Sequence, residues 1–371
     1  MYHWDLPQRL QDLGGWTNPL ISDWFADYAR VLFTLYGDRV QTWHTVNEPW
    51  VICDLGYTVL APGISDYDVG RLLCSKYVLL AHAKAWRIYD EEFRPKYNGQ
   101  IGIVNHVIWM EPAGQGDEEN AELANLDFIG RFTYPIYSKE GGWPQQLQKL
   151  IAKKSKEEGY ESSRLPDFTH EEVELIRGTY DFLGINHYTS RLVRRRRPGE
   201  TLDETLLKSS KELDFVLDIN PQWKNTSSEW FKEFPAGIRH TLQWVKRNFG
   251  NIKIYITENG YACNALSLED YHRISYLHSY LEQVLLAIKE DGINVLGYTV
   301  WTLMDNFEWM DGYHSRFGLH HVDFDNPNRT RTPRLSAQFY ASVVKSHSLN
   351  IPDQDKYILN KHYLIILFLH F

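Results

Sequence analysis

Apolar positions along the chain switch between two spacings. Trp24, Phe25, Tyr28, Val31, Leu32 and Leu35 recur at three- and four-residue intervals, which predicts a helix burying that face, opened by Asn18-Pro19 and ended by Gly37. Residues 40–45 then predict a strand that runs into Val46-Asn47-Glu48-Pro49. A second helix is expected over 69–92, with Leu72, Leu73, Tyr77, Leu80, Ala81 and Ala85 on one face, followed by a β-branched strand of the buried type at 101–107. Residues 117–178 are mostly helical in pattern, broken at Gly141-Gly142-Trp143-Pro144, and 180–188 again favours a strand. From 189 to 225 the chain is polar, the signature of a long connection. Beyond it come a helix at 232–247, a strand at 252–257, a helix at 268–290, a strand at 295–301 and a last helix at 333–347.

Strands alternating with helices argue for the α/β class and a parallel sheet. About five strand–helix units are visible, with a possible half-strand at 2–4. No glycine-rich phosphate loop follows a strand, so a dinucleotide fold has no support. At 371 residues the chain suits either two or three average domains or one α/β barrel. Thirteen Trp, 23 Tyr and 17 Phe supply a large apolar payload, and 43% hydrophobic against 23% charged residues makes the chain globular. The net charge of −9 argues against nucleic acid as a partner. Residues 194–197 are four arginines in a row, and in so acidic a chain they are expected to form a solvated edge. Cys53, Cys74 and Cys263 are too few for a disulfide scaffold and lack zinc-site spacing, while one disulfide plus one free thiol stays open. The first seven residues have neither a basic n-region nor an apolar h-region. The apolar stretch 363–371 is too short for a membrane span, so the tail 349–371 is either a docked segment or a misread exon end.

The polar residues that need explaining follow strands, where α/β barrels build their active sites. Glu48 ends one strand in Thr45-Val46-Asn47-Glu48-Pro49, and Glu258 ends another in Ile256-Thr257-Glu258-Asn259-Gly260. Two carboxyls at one barrel mouth are the equipment of glycoside hydrolysis: one protonated to release the leaving oxygen, one ionised to attack the anomeric carbon. A single strand-end glutamate is more often a cap or a solvated loop residue, and the pair, each beside an asparagine, shifts that balance.

The runs TVNEP (45–49) and ITENG (256–260) resemble the two signature segments of glycoside hydrolase family 1, the β-glucosidase family. YHWDLPQ (2–8), NEPWVICDLGY (47–57), GINHYTS (184–190), WTLMDNFEWMDGYHSRFGLHHVDF (301–324) and NRTRTPRLSA (328–337) match in the family's order, so the resemblance spans residues 1–346. It implies a (β/α)8 TIM barrel over residues 1–348 and a retaining β-glucosidase that hydrolyses β-O-glucosides through a covalent glycosyl-enzyme. Glu48 would be the acid/base and Glu258 the nucleophile, their carboxyls roughly 5–5.5 Å apart. Tyr188 would steady the nucleophile, with Asn186 from the same segment. Asn47 would bind the sugar 2-OH and His3 the pyranose. Trp301 would floor the ring, Trp309 would donate its N–H to a hydroxyl, Glu308 would accept from the 4- and 6-hydroxyls, and Phe317 would pack near C6. A carboxylate at Glu308 would repel a phosphorylated sugar, so the substrate expected is an unphosphorylated β-glucoside or oligosaccharide. Neither a metal nor an organic cofactor is needed for this chemistry.

The family pattern breaks at the start. YHWDLP is the family's third strand, so strands 1 and 2 with their helices are expected to be missing, leaving an incomplete barrel. With them would go a glutamine that grips the 3- and 4-hydroxyls and an arginine beside the nucleophile. Open strand edges and a lost cation imply low solubility and weak turnover. A truncated, catalytically impaired sugar-binding relative is the alternative, against which both glutamates persist; another retaining barrel glycosidase, such as an endoglucanase, fits the DNFEW segment poorly. Asn225-Thr226-Ser227 and Asn328-Arg329-Thr330 are glycosylation sequons, which mildly favour secretion.

Overall fold

The computed structural model describes residues 1–350 apart from 59, 64, 65, 67, 203–206, 211 and 265. The apolar stretch 363–371 lies outside the described residues. The chain forms two compact units, Met1–Asn186 with Arg191–Asp218, and His187–Ser190 with the chain from Ile219 onward.

In the first unit, Tyr2 bridges in parallel to Val46 of β1 (Thr42–Asn47), and β1 runs parallel to β2 (Gln100–Pro112). β2 neighbours β3 (Phe182–Arg195), whose residues 182–186 and 191–195 belong to this unit. The helices between strands include α1 (Ile21–Tyr36) and α2 (Gly70–Ile88). The predicted elements are therefore present, with two corrections.

The first concerns α1. It begins at Ile21, because Asn18 turns the chain by accepting from Leu20 N through Oδ1 (2.9 Å) and from Ile21 N through its carbonyl (3.0 Å). Its buried face is Ile21, Phe25, Ala26, Ala29 and Phe33, whereas Tyr28, Val31 and Leu35 are about half exposed. Apolar residues surround this helix, so periodicity alone does not choose the face. Small Ala26 and Ala29 let α1 approach its neighbours, and Phe33 reaches the Trp43 and Tyr89 rings at 5.1 and 4.8 Å.

The second correction concerns 189–225, which is not a structureless connection. β3 continues to Arg195, and Leu192–Arg195 pairs antiparallel with Phe215–Asp218. Val193 is fully buried between the partly exposed Leu192 and Arg194, the alternation of a half-buried strand that the arginine run masks in sequence. Arg194 is held by Asp218 and Glu200 at 2.6 Å each, and residues 195–197 are exposed.

Cys53 and Cys74 form a disulfide that ties the turn after Glu48 to α2, while Cys263 is a free thiol. Beside the disulfide lies a buried ionic chain. Arg131 grips both oxygens of Asp54 (2.8 and 2.7 Å), Arg71 links Asp54 to Glu212 (3.3 and 3.0 Å), and Arg164 binds Glu212 (2.8 Å).

In the second unit, β4 (Ile254–Asn259) and β5 (Val295–Val300) run parallel. They alternate with α3 (Ala236–Phe249), α4 (Tyr271–Lys289) and α5 (Leu335–Ser346). Gly260 after β4 is required by close approach, since a Cβ there would lie 1.8 Å from the Trp301 carbonyl oxygen. Among the described residues no helix is long and apolar enough to cross a membrane.

Candidate functional site

Each unit gathers one group of the sequence-predicted residues. In the first, β1 delivers Asn47 and Glu48. Glu48 lies where the strand ends: its N–H donates to the Val104 carbonyl at 2.8 Å, its backbone turns left-handed (φ 56°), and Pro49 follows. A non-glycine residue in that region costs on the order of 1–3 kcal/mol, a strain that concentrates at functional positions. A π-helical turn, Val51–Leu55, follows directly, another feature frequent at such sites.

The Glu48 side chain is buried. Oε1 accepts from Asn186 Nδ2 at 2.8 Å and meets His106 Nδ1 at 3.2 Å. Burial alone raises its proton affinity, but the His106 charge, the hydrogen bonds from His106 and Asn186, and the charge of His3 outweigh it. The carboxyl is held below its ordinary value. Asn186 Nδ2 also donates to Asn47 Oδ1 at 3.1 Å, and Asn47 Nδ2 faces His3 Nε2 at 3.4 Å. Trp4 Nε1 donates to the Asn47 carbonyl at 3.1 Å. His3, Asn47, Glu48 and Asn186 thus form one hydrogen-bonded chain. Desolvation lowers the His3 pKa, with Glu48 and Asp5 pulling it back up.

The second unit carries the other group. Tyr188 donates its hydroxyl to Glu258 Oε2 at 2.8 Å. Its ring is braced edge-on by Trp230, Phe231 and Phe317 at 6.0–6.2 Å. Phe317 is buried and stacks on Phe231. Next to Glu258, the Asn259 side chain is pinned by three partners: it donates to the His187 carbonyl (2.7 Å) and to the Tyr276 hydroxyl (2.9 Å), and accepts from the Tyr298 hydroxyl (2.5 Å). That clamp fixes the strand end from which Glu258 projects.

Trp301 follows β5 and donates its indole N–H to Glu308 Oε1 at 3.1 Å. Burial raises the Glu308 pKa to about 7; Trp301 and Asn306 oppose the rise, and Asp311 and Asp305 add to it. Trp309 lies in the next turn, 45% exposed with φ 46°. The loop has two internal anchors. Asp305 is gripped through both oxygens by Arg334 (3.0 and 2.8 Å) and by Arg316 (3.1 Å). Asp311 Oδ2 accepts from Ser228 and Ser315 (2.9 and 2.6 Å).

Sequence reasoning missed His106, Asp305 and Asp311. His106 has a faint signal, being a titratable residue inside the apolar run of β2. Asp305 lies within the DNFEW segment itself, yet its arginine partners are 11 and 29 residues away. Among the described residues, no group of three His, Cys, Asp or Glu side chains could hold a metal ion.

The sequence pattern of Glycosyl hydrolase family 1 matches residues 1–349. The chain is 44% identical over 353 residues to Myrosinase 1 of Brevicoryne brassicae, covering 93% of this chain and 74% of that protein. It is 38% identical over 355 residues to the Cytosolic beta-glucosidase of Homo sapiens, covering 94% and 74%. A solved rice β-glucosidase, a glutamate-to-glutamine mutant in a covalent complex with Glc, superposes with a TM-score of 0.82 at 34% identity, over 92% of this chain and 74% of that one. Sequence, strand–helix order and these likenesses agree: the chain belongs to glycosyl hydrolase family 1, and is a glycosyl hydrolase of the (β/α)8-barrel class.

Proposed function

We propose that this chain is a retaining β-glycosidase acting on β-O-glucosides. The observation that carries the reading is the Tyr188 hydroxyl donating to Glu258 at 2.8 Å. A phenol supplies a hydrogen bond without charge, so it orients a carboxylate for attack while leaving it ionised. Glu258 attacks the anomeric carbon as the glycosidic bond breaks, and Glu48 gives its proton to the leaving oxygen. Glu48 then takes a proton from water, which cleaves the glycosyl ester. Its lowered pKa favours the ionised form from which this second step starts. Asn47 serves the sugar 2-OH, an interaction that tightens as positive charge develops at the anomeric carbon. His3, Trp301, Trp309 and Glu308 bind the sugar, and Phe317 backs Tyr188. The covalent Glc complex of the rice relative supports the same two-step chemistry here.

A mechanism-based 2-deoxy-2-fluoroglucoside should label Glu258, read by peptide mapping. Labelling of another residue overturns the nucleophile assignment. Glu48→Gln should spare substrates with good leaving groups and regain turnover with azide. Equal loss on all substrates would return the chain to the impaired, sugar-binding reading.

A further inference from the structure

Glu48 has two duties with opposite proton requirements, carrying the proton when the aglycone leaves and lacking it when water attacks. Among the described residues, the two donors that reach its carboxyl converge on one oxygen: Asn186 Nδ2 at 2.8 Å and His106 Nδ1 at 3.2 Å, each on Oε1. An oxygen that already accepts two hydrogen bonds is the unfavourable one for a proton, since an O–H there would lose acceptor capacity and face the donors. We propose that His106 is a positioning residue for Glu48: its Nδ1–H, with Asn186, saturates Oε1 and leaves Oε2 as the oxygen that carries and returns the proton. This rests on Glu48 being the acid/base.

The imidazole is held for that purpose. It stacks on Trp50 with centroids 6.1 Å apart and planes 19° apart, and Trp50 in turn stacks on Phe128 at 4.8 Å. Trp50 is two residues after Glu48, so the turn that carries the acid also carries the ring that fixes its partner. His82, in the same unit, shows what a packing histidine looks like. Its two nitrogens meet neutral partners, Thr45 Oγ1 and the Thr179 carbonyl, each at 2.7 Å, and burial pushes its pKa down to about 4. His106 instead faces a carboxylate.

The proton balance closes without any further reactant. As the glycosidic C–O bond breaks, the Oε2–H bond breaks and an O–H bond forms on the leaving oxygen, while His106 keeps its Nδ1–H on Oε1. In the second step Oε2 takes a proton from the attacking water. In this unit the groups facing Glu48 are His106 from β2, Asn186 from β3, which is neutral, and His3 beside Tyr2. The hydrogen bonds that His106 and Asn186 direct to Oε1 favour the carboxylate, so they lower the pH up to which Glu48 still carries a proton.

His106→Asn keeps a donor but removes the titratable imidazole; His106→Phe removes both and keeps a flat ring for Trp50. With an alkyl β-glucoside, both variants should move the alkaline limb of kcat/KM upward, by about half to one pH unit. On that substrate His106→Phe should lose about tenfold in kcat/KM, while an activated aryl glucoside that needs no acid loses little. His106→Asn should keep most of the activity. Unmoved limbs in both variants, or equal losses on both substrates, overturn the proposal. Glu48→Gln, run alongside, separates the two readings. If it too fails to discriminate leaving groups, the acid/base assignment falls; if it discriminates and the His106 variants do not, only the positioning role falls.

Discussion

At the residue scale, proton affinity is set by what surrounds each carboxyl. Glu48 and Glu308 are the same amino acid after different strands, and their environments push them in opposite directions. Glu48 gains donors and positive charge that more than offset burial. Glu308 has only the Trp301 indole and Asn306 against burial and two acidic neighbours, and its value rises to about 7. A folded-state value above the unfolded one penalises the ionised form, so this group's contribution to stability declines as pH rises from about 4.5 to about 7. For the sugar-binding role proposed for Glu308 the sign is opposite, because protonation turns one acceptor oxygen of the carboxyl into a donor. KM for a glucoside should therefore rise as pH falls below 7, and Glu308→Gln should flatten that dependence; a wild-type KM that does not vary between pH 5.5 and 8 would contradict it. Tyr188→Phe removes one hydrogen bond to a charged group, worth about 1.5–3 kcal/mol, so kcat should fall by about ten- to a hundredfold. Stopped-flow release of the first product checks whether that loss falls on the glycosyl-forming step.

At the element scale, two covalent and ionic ties hold the segment after Glu48. The Cys53–Cys74 disulfide spans 21 residues of sequence, and cross-linking a loop of that size stabilises by roughly 3 kcal/mol through the unfolded chain. Without reductant, a denatured sample should titrate one thiol, Cys263, and three after reduction; Cys74→Ser should lower the melting temperature. Arg131 is fully buried against Asp54. Arg131→Met would strand that carboxylate beside Arg71 alone, and breaking a buried pair from one side costs about 3–5 kcal/mol. Chemical denaturation should show the midpoint falling with little change in slope. Stability close to wild type would mean that the Arg71–Glu212–Arg164 chain can re-form around Asp54 unaided.

At the scale of the whole molecule, retention or inversion is one number for the entire reaction. Proton NMR of a fresh digest should show β-glucose before mutarotation, and α-glucose first would rule out the two-step reading. The strand–helix order was legible because each element carries its own period and turn residues: Gly37 after α1, Asn-Glu-Pro after β1 and Asn-Gly after β4. Glu48 and Glu258 were legible as carboxyls at strand ends, whereas the other candidate residues followed from the resemblance of their motifs to the family. The buried face of α1 was not, because Tyr28, Val31 and Leu35 match the helical period as well as Phe33 does, and only packing against Trp43 and Tyr89 separates them.

Local pattern along the chain was enough for the class of fold, the family, and two glutamates at strand ends. Packing was needed to settle that Cys53 pairs with Cys74, and it supplies the 2.8 Å geometry by which Tyr188 meets Glu258 across 70 residues of sequence. It also placed His106 and Asn186 on one oxygen of Glu48 from 58 and 138 residues away. Hydrogen bonds and desolvation depend on atoms brought together by packing, and no periodicity along the chain encodes which atoms those are.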